Sequence, residues 1–470
     1  MRVGDVAAAV AGELAAPHAD DVVTAVVTDS RQVTPGALFV AIRGERVDGH
    51  DHAAAAEAAG AVAVLAERRG LPVATSVVVP DTVTALGLLA RDVVDRSSAT
   101  VIGVTGSSGK TTTKDLLAQV LSRHGETVAP VGSFNNEIGL PLTVCQVTES
   151  TRHLVLEMSA RDVGHIRYLT GIAPPQVAVV LNVGVAHLGI FGSRERIALA
   201  KGEIVEALAA DGLAVLNADD DHVAAMASRT EARVVRCGVG SGADYRAADV
   251  AIDDAGRPSF TLQTPYGDGR VDLRLVGEHM VGNALACAAV ACELGMPVAD
   301  AAAALSDAEA TSRGRMELRR TAGGVTVVND AYNANTESMM AGLKALKSMA
   351  RGRRTWAVLG GMGELGDATV DEHVRVGQMV VRLGINRLVT VGALAKPVYD
   401  TFLLEGSLPD DAAHVDDVES AISHLTGALR EGDVVLVKAS NAAGLERVAH
   451  ALAPDPTAEA GPPASSGGSA

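Results

Sequence analysis

Cysteine and aromatic residues are scarce in this chain. The four cysteines, Cys145, Cys237, Cys287 and Cys292, are scattered through 470 residues with no C-x-x-C spacing, which argues against a disulfide framework or a zinc site. Aromatics make up only 2% of the residues while nearly half are apolar, so the cores must be built from Ala, Val and Leu. No run of 18 uninterrupted apolar residues exists, and no membrane insertion is expected. The opening Met-Arg-Val-Gly-Asp lacks the charged-then-apolar layout of a secretion signal. Basic charge is also short: the net charge is −17, which disfavours nucleic acid and anionic membranes as partners. Any anionic substrate must then be held by local groups. Together these features point to the cytoplasm.

At 470 residues the chain exceeds what one hydrophobic core supports, so two or three domains are expected. Residues 1–97 alternate short Val-rich strands (22–28, 38–41, 61–66, 76–79) with an Ala-rich helix near 51–59. From 98 to 316 strands and helices alternate as in a doubly wound, mostly parallel sheet, with strands at 100–104, 153–157, 176–182 and 214–217. Residues 233–275 read differently, as polar–apolar alternation with Gly turns, and suggest an antiparallel hairpin or small sheet inserted there. A long Ala-rich helix follows from Met280. Residues 317–453 restart the pattern with apolar runs at 325–329, 355–359, 387–391 and 434–438, predicting a second, smaller α/β unit. The tail 454–470 is rich in Pro, Ala, Gly and Ser and is expected to be disordered. The fold class expected is α/β, in three domains and a tail.

What the chain does have is Thr105-Gly106-Ser107-Ser108-Gly109-Lys110-Thr111-Thr112, placed after the apolar strand Val101–Val104 and before a helix face of Leu116, Leu117, Val120 and Leu121. Such a turn aims several backbone N–H groups and a helix N-terminus into one concavity, which suits a polyphosphate. Lys110 would reach the outer phosphates and the Thr111 hydroxyl could ligate Mg²⁺. The usual spacing is G-x-x-x-x-G-K-[ST], so T-G-x-x-G-K-T is a variant of it.

Ligands of open parallel sheets gather beyond the carboxyl ends of the strands. Two further strands end there in capable residues: one delivers Glu157, and another the loop carrying His187. Glu157 suits Mg²⁺, which prefers oxygen donors, although a capping carboxylate is the plain alternative. On spacing alone His187 is as well read as a satisfied loop histidine. Lys201 lies in an otherwise apolar helical turn, where snorkelling or pairing with Glu203 or Glu206 is the simpler outcome. Asp219, Asp220 and Asp221 read as a helix N-cap.

Taken together these residues resemble the Mur ligases, the ATP-dependent amide-forming enzymes of peptidoglycan precursor synthesis, over nearly the whole chain except the tail. Asn135-Asn136-Glu137-Ile138-Gly139-Leu140-Pro141-Leu142-Thr143 and Asp330-Ala331-Tyr332-Asn333-Ala334-Asn335 carry the resemblance; the phosphate loop marks only the wider superfamily. The resemblance implies a UDP-sugar-binding unit at 1–97, a central ATP-binding domain at 98–316, and a Rossmann-like C-terminal domain at 317–453 that binds D-Ala-D-Ala and closes on ATP. Within the family it implies the member that joins D-alanyl-D-alanine to UDP-N-acetylmuramoyl-tripeptide.

It also implies residue roles. Lys201 matches a lysine that is carbamylated, supplying an anionic ligand so that a second Mg²⁺ binds beside His187. Thr111 and Glu157 match ligands of the first Mg²⁺. Asn283 matches an adenine contact, and Arg315, Asp330 and Asn333 contacts to ATP from the third domain. Ser30, Arg31 and Asp48 match loops holding the uridine diphosphate end, and Asn135, Asn136 and Glu137 further substrate contacts. Two departures stand out. Thr336 replaces a usual Pro, and Ala439 and Asn441 replace a commoner Gly and Arg, which puts a dipeptide-binding role at 441 in doubt.

The implied chemistry activates a carboxylate as an acyl phosphate, which the dipeptide amine then attacks. Two anions must meet, and at ~4 Å their repulsion is about 4 kcal/mol at an effective dielectric near 20. Lys110 and two Mg²⁺ ions would offset it. No nucleophilic side chain is needed, in keeping with the lack of a Ser-His-Asp or Cys-His arrangement. A monomer is expected. The rival readings are a relative adding a single amino acid, and, from another class, a regulatory ATPase whose phosphate loop gates a partner.

Overall fold

Val- and Ala-rich runs, too short for helices and flanked by Gly or Asp, become the strands of three sheets. The computed structural model describes residues 1–15, 19–44, 46–186, 188–405 and 408–454; almost all of the tail therefore lies outside the described residues. The first sheet contains β1 (Glu13–Ala15), β2 (Ala25–Val27), β3 (Ala37–Val40), β4 (Ala63–Ala66) and β5 (Ser76–Val78), in the order β1-β5-β4-β3-β2. Only β1 runs antiparallel to its neighbour.

The second sheet holds β6 (Thr100–Thr105), β7 (Thr127–Val128), β8 (His153–Glu157), β9 (Val177–Val180), β10 (Leu213–Asn217), β11 (Arg233–Gly238), β12 (Tyr245–Ile252), β13 (Pro258–Thr264) and β14 (Gly267–Asp272). Their order is β14-β13-β12-β11-β10-β9-β6-β8-β7. From β6 the chain winds first toward β7 and β8, then returns to β9, so the sheet reverses its winding between β6 and β9. That crevice is where ligands of such sheets sit. Register matters here: Val104 pairs with Glu157 and Thr105 with Val180, which brings three strand ends level.

Residues 233–275 depart from the expected insertion. β11 is a parallel strand, and β12 to β14 form antiparallel pairs that extend the main sheet at its edge. Tyr245, Ala247, Phe260, Leu262 and Val271 face inward, against the helix Met280–Glu293. That helix is buried on nearly every side, as an Ala-rich helix between two layers must be.

The third sheet contains β15 (Glu317–Arg320), β16 (Thr326–Asn329), β17 (Thr355–Gly360), β18 (Arg387–Val391), β19 (Ala412–Val415) and β20 (Val434–Lys438), in the order β15-β16-β20-β17-β18-β19. It is parallel apart from β15. Its strand ends face those of the second sheet across one cavity of about 550 Å³. No helix among the described residues is long and apolar enough to cross a membrane.

Candidate active site

The glycine turn after β6 is shaped by Gly109, which takes φ +80° and precedes the helix Lys110–Ser122. A Cβ there would lie 2.8 Å from Asn283 Oδ1, so glycine is required on both counts. The turn is tied to the segment after β9: Ser108 N donates to Asn182 Oδ1 at 2.9 Å, and Gly184 N to Ser107 Oγ at 2.8 Å. Lys110 Nζ donates back to Gly106 O at 2.8 Å. Burial lowers the Lys110 pKa; the Glu157 charge opposes that shift and Arg315 adds to it.

Glu157, at the end of β8, is buried and accepts from Thr111 Oγ1 at 2.9 Å and from Asn135 Nδ2 at 2.6 Å. Arg315 Nη2 reaches the same threonine at 3.3 Å, and its guanidinium lies 4.1 Å from the centroid of the Tyr332 ring. A hydroxyl, a carboxylate and two cations thus converge where outer phosphates would lie. These oxygen donors suit Mg²⁺, which typically binds through one or two carboxylates plus phosphates and water. Among the described residues no group of three or more His, Cys, Asp or Glu forms a self-sufficient metal cage.

The third sheet supplies a second anchored group. Lys438, the last residue of β20, is buried and donates to Asp330 Oδ2 at 2.6 Å and to Asn333 O at 3.0 Å. Asp330 Oδ1 accepts from Met316 N at 3.1 Å, which fixes the backbone beside Arg315. Asn335 Nδ2 donates to Ser107 O at 3.2 Å, and Tyr332 shares a hydrogen bond with Ser133.

Most of the expected site residues share the one cavity: Ser107 to Thr112, Asn135, Asn136, Glu137, Glu157, Asn283, Arg315, Asp330 and Asn333 all line it. Asn136 spends its side chain on capping, accepting from Gly139 N at 2.9 Å. Thr105 and Gly106 lie behind the loop, away from the lining. His187 lies outside the described residues. Ser30, Arg31 and Asp48 lie apart, in the first unit. There Arg31 grips Asp29, whose carboxyl is pulled down to about 2, and Asp48 is held by His50 and Arg68.

Lys201 is buried, and the local pairing expected for it does not form. Glu203 instead caps the helix His165–Ile172, accepting from Gly164 N at 2.6 Å and Arg167 N at 3.0 Å, while Glu206 pairs with Arg229 at 2.8 Å. Burial pushes the Lys201 amine well below the usual ammonium range, and the neighbouring Lys110 charge presses the same way. Asp220 is the N-cap expected, accepting from His222 N and Val223 N. Asn182 and Lys438 were not anticipated. Each follows or ends a Val-rich strand, the signal that singles out Glu157.

Three family models match the chain: the Mur ligase family catalytic domain over residues 22–104, the Mur ligase middle domain over 104–291, and the Mur ligase glutamate ligase domain over 314–441. A UDP-N-acetylmuramoyl-tripeptide–D-alanyl-D-alanine ligase of Mycobacterium tuberculosis is 48% identical over 468 residues, covering 91% of this chain and 92% of the relative. A crystal structure of MurF from Acinetobacter baumannii superposes with TM-score 0.84 at 30% identity, covering 96% of this chain and 98% of that one. MurF ligase from Thermotoga maritima in complex with ADP gives TM-score 0.79 at 32% identity, covering 91% and 96%.

Proposed function

Because this chain belongs to the Mur ligase family, we propose that it joins D-alanyl-D-alanine to UDP-N-acetylmuramoyl-tripeptide, with ATP converted to ADP and phosphate. The observation that carries the reading is the convergence of the phosphate loop, Glu157 and Arg315 in one cavity between the second and third sheets. Near-full-length likeness to ligases bearing that name supports the choice of substrates.

The γ-phosphate would sit among Lys110, Arg315 and the first amides of the helix Lys110–Ser122. The tripeptide's terminal carboxylate attacks the γ-phosphorus, the bond to the β,γ-bridging oxygen breaks, and ADP leaves. The amine of D-Ala-D-Ala then adds to the acyl carbon and loses a proton, and phosphate departs as the amide forms. Lys110 and Arg315 offset the repulsion between the two reacting anions, which at ~4 Å is about 4 kcal/mol at an effective dielectric near 20. Two Mg²⁺ ions, when bound, supply further positive charge at the transferring phosphoryl group. Thr111 and Glu157 are suited to hold one ion; the family resemblance assigns the other to His187 and a carbamylated Lys201.

Burial lowers the Lys201 pKa and so favours the neutral amine, the form that attacks CO₂: the N–C bond forms, one N–H proton leaves to solvent, and a carbamate anion remains. The carbamate would also carry a charge opposite to that of Lys110. We read residues 1–97 as the unit for the UDP-sugar end, 98–316 as the ATP unit and 317–453 as the unit for the dipeptide, acting as a cytoplasmic monomer. The test is ADP release with each substrate omitted in turn. A ligase turns over only with the tripeptide and D-Ala-D-Ala together. Slow hydrolysis indifferent to both would instead establish a regulatory ATPase.

A further inference from the structure

The segment between β9 and the helix Arg194–Glu206 hangs on a short series of contacts. Asn182 accepts from Ser108 N; Val183 N donates to Asp220 Oδ2 at 2.8 Å, and its carbonyl accepts from Arg194 Nη2 at 2.6 Å; Gly184 N donates to Ser107 Oγ. All these partners belong to the second unit. The next two come from the third. Val185 N donates to Glu337 Oε1 at 2.9 Å, and Gly189 N donates to the carbonyl of Glu364 at 3.0 Å. The third unit thus holds this segment at Val185 and again at Gly189.

The fit leaves no spare room. A Cβ on Gly184 would lie 2.5 Å from Glu337 Cδ, and one on Gly189 would lie 2.7 Å from Gly366 Cα. Glu337 stands in the first turn of the helix Thr336–Ala350, whose N-cap Asn335 already touches the phosphate loop. Its Oε2 is buried and has no hydrogen-bond partner among the described residues. Burial and the nearby Glu372 raise its pKa, the backbone N–H of Val185 and the Arg194 charge opposing them, and Glu372 itself is engaged by Arg375 at 2.9 Å. A half-satisfied buried carboxylate costs stability, so its presence at this junction calls for another use.

We infer that Glu337 is a positioning residue: by capturing the Val185 amide as the third unit docks, it fixes residues 182–186 against the phosphate loop. This rests on the ligase reading above.

The test compares Glu337→Ala, Glu337→Gln, Gly184→Ala and the double variant Gly184→Ala/Glu337→Ala. Misplacing a reacting group by about 1 Å costs on the order of 100-fold, so Glu337→Ala is expected to lower kcat by about 10- to 100-fold with little change in the KM for ATP. Gln keeps the acceptor and restores kcat. In enzyme saturated with a non-hydrolysable ATP analogue, amide hydrogen exchange across residues 183–189 rises for Ala and not for Gln. Gly184→Ala is damaging alone yet adds little once Glu337 is trimmed, since the two share one space. Wild-type kcat and unchanged exchange in Glu337→Ala would overturn the inference, as would a Gln variant as slow as Ala, or a Gly184→Ala cost equal in both backgrounds. A wild-type protein that makes no amide product overturns the ligase reading instead, and the exchange data still decide whether Glu337 holds the segment.

Discussion

A buried lysine with no carboxylate to answer it is costly, because desolvation penalises its charge. Lys201 is buried near the Lys110 charge, and among the described residues no carboxylate pairs with it. Spacing alone does not reveal it, since Glu203 and Glu206 lie within a turn and offer ready partners; both are drawn away by contacts distant in sequence, Gly164 and Arg229. Glu157, by contrast, is legible, because a carboxylate ending the apolar run Leu154–Leu156 stands at the carboxyl end of a buried strand, where the cleft lies. Lys438 ends Val-Val-Leu-Val in the same way. If Lys201 works as a carbamate, Lys201→Ala should lose activity by about 100-fold or more, the scale expected when a metal site loses its supporting ligand. A short-chain carboxylic acid added to the variant should restore part of the rate by placing a carboxylate in the vacated space. Full activity in the unrescued variant removes carbamylation from the mechanism.

Among elements, the phosphate-binding turn depends on one backbone conformation. A non-glycine residue in the left-handed region costs roughly 1–2 kcal/mol, and at Gly109 the new Cβ would also press on Asn283 Oδ1 at 2.8 Å. Gly109→Ala is therefore expected to weaken ADP binding at least about tenfold, the equivalent of 1.4 kcal/mol, without unfolding the chain; calorimetric titration measures it, and an unchanged Kd would show the turn is not the nucleotide cradle. The same turn was plain in the sequence because glycine, lysine and threonine follow a buried strand. Other elements were less plain for definite reasons. The edge strands β1, β7, β15 and β19 are short, between two and four residues, and a run of that length has no period. Alternation in 233–275 signals antiparallel pairing but not which edge receives it; that is decided by the apolar face of the helix Met280–Glu293. The helix Thr82–Arg96, absent from the expectations for residues 1–97, is nonetheless written in the spacing of Ala85, Leu86, Leu89 and Ala90, all buried.

At the scale of the whole molecule, the second and third units meet through two kinds of contact. One apolar cluster continues from the second sheet into the third, with Val276 and Met349 among its members, and a Cβ on Gly256 would lie 2.6 Å from Met349 Cγ. Around the cavity the contacts are polar: Asn335 to Ser107, Glu337 to Val185, and Tyr332 to Ser133. Polar contacts of this kind exchange for water at small net cost, roughly 1 kcal/mol each, whereas separating buried apolar surface does not. The cavity side should therefore be the one that opens, with the apolar cluster as the pivot. Anionic substrates make the difference between the states, since a chain of net charge −17 attracts them only through local cations such as Lys110 and Arg315. ATP together with the tripeptide substrate should then shift the population toward the docked form, and small-angle scattering should record a smaller radius of gyration than for the free protein. An identical profile with and without both ligands would mean the units stay docked throughout, and that substrate entry uses some route other than their separation.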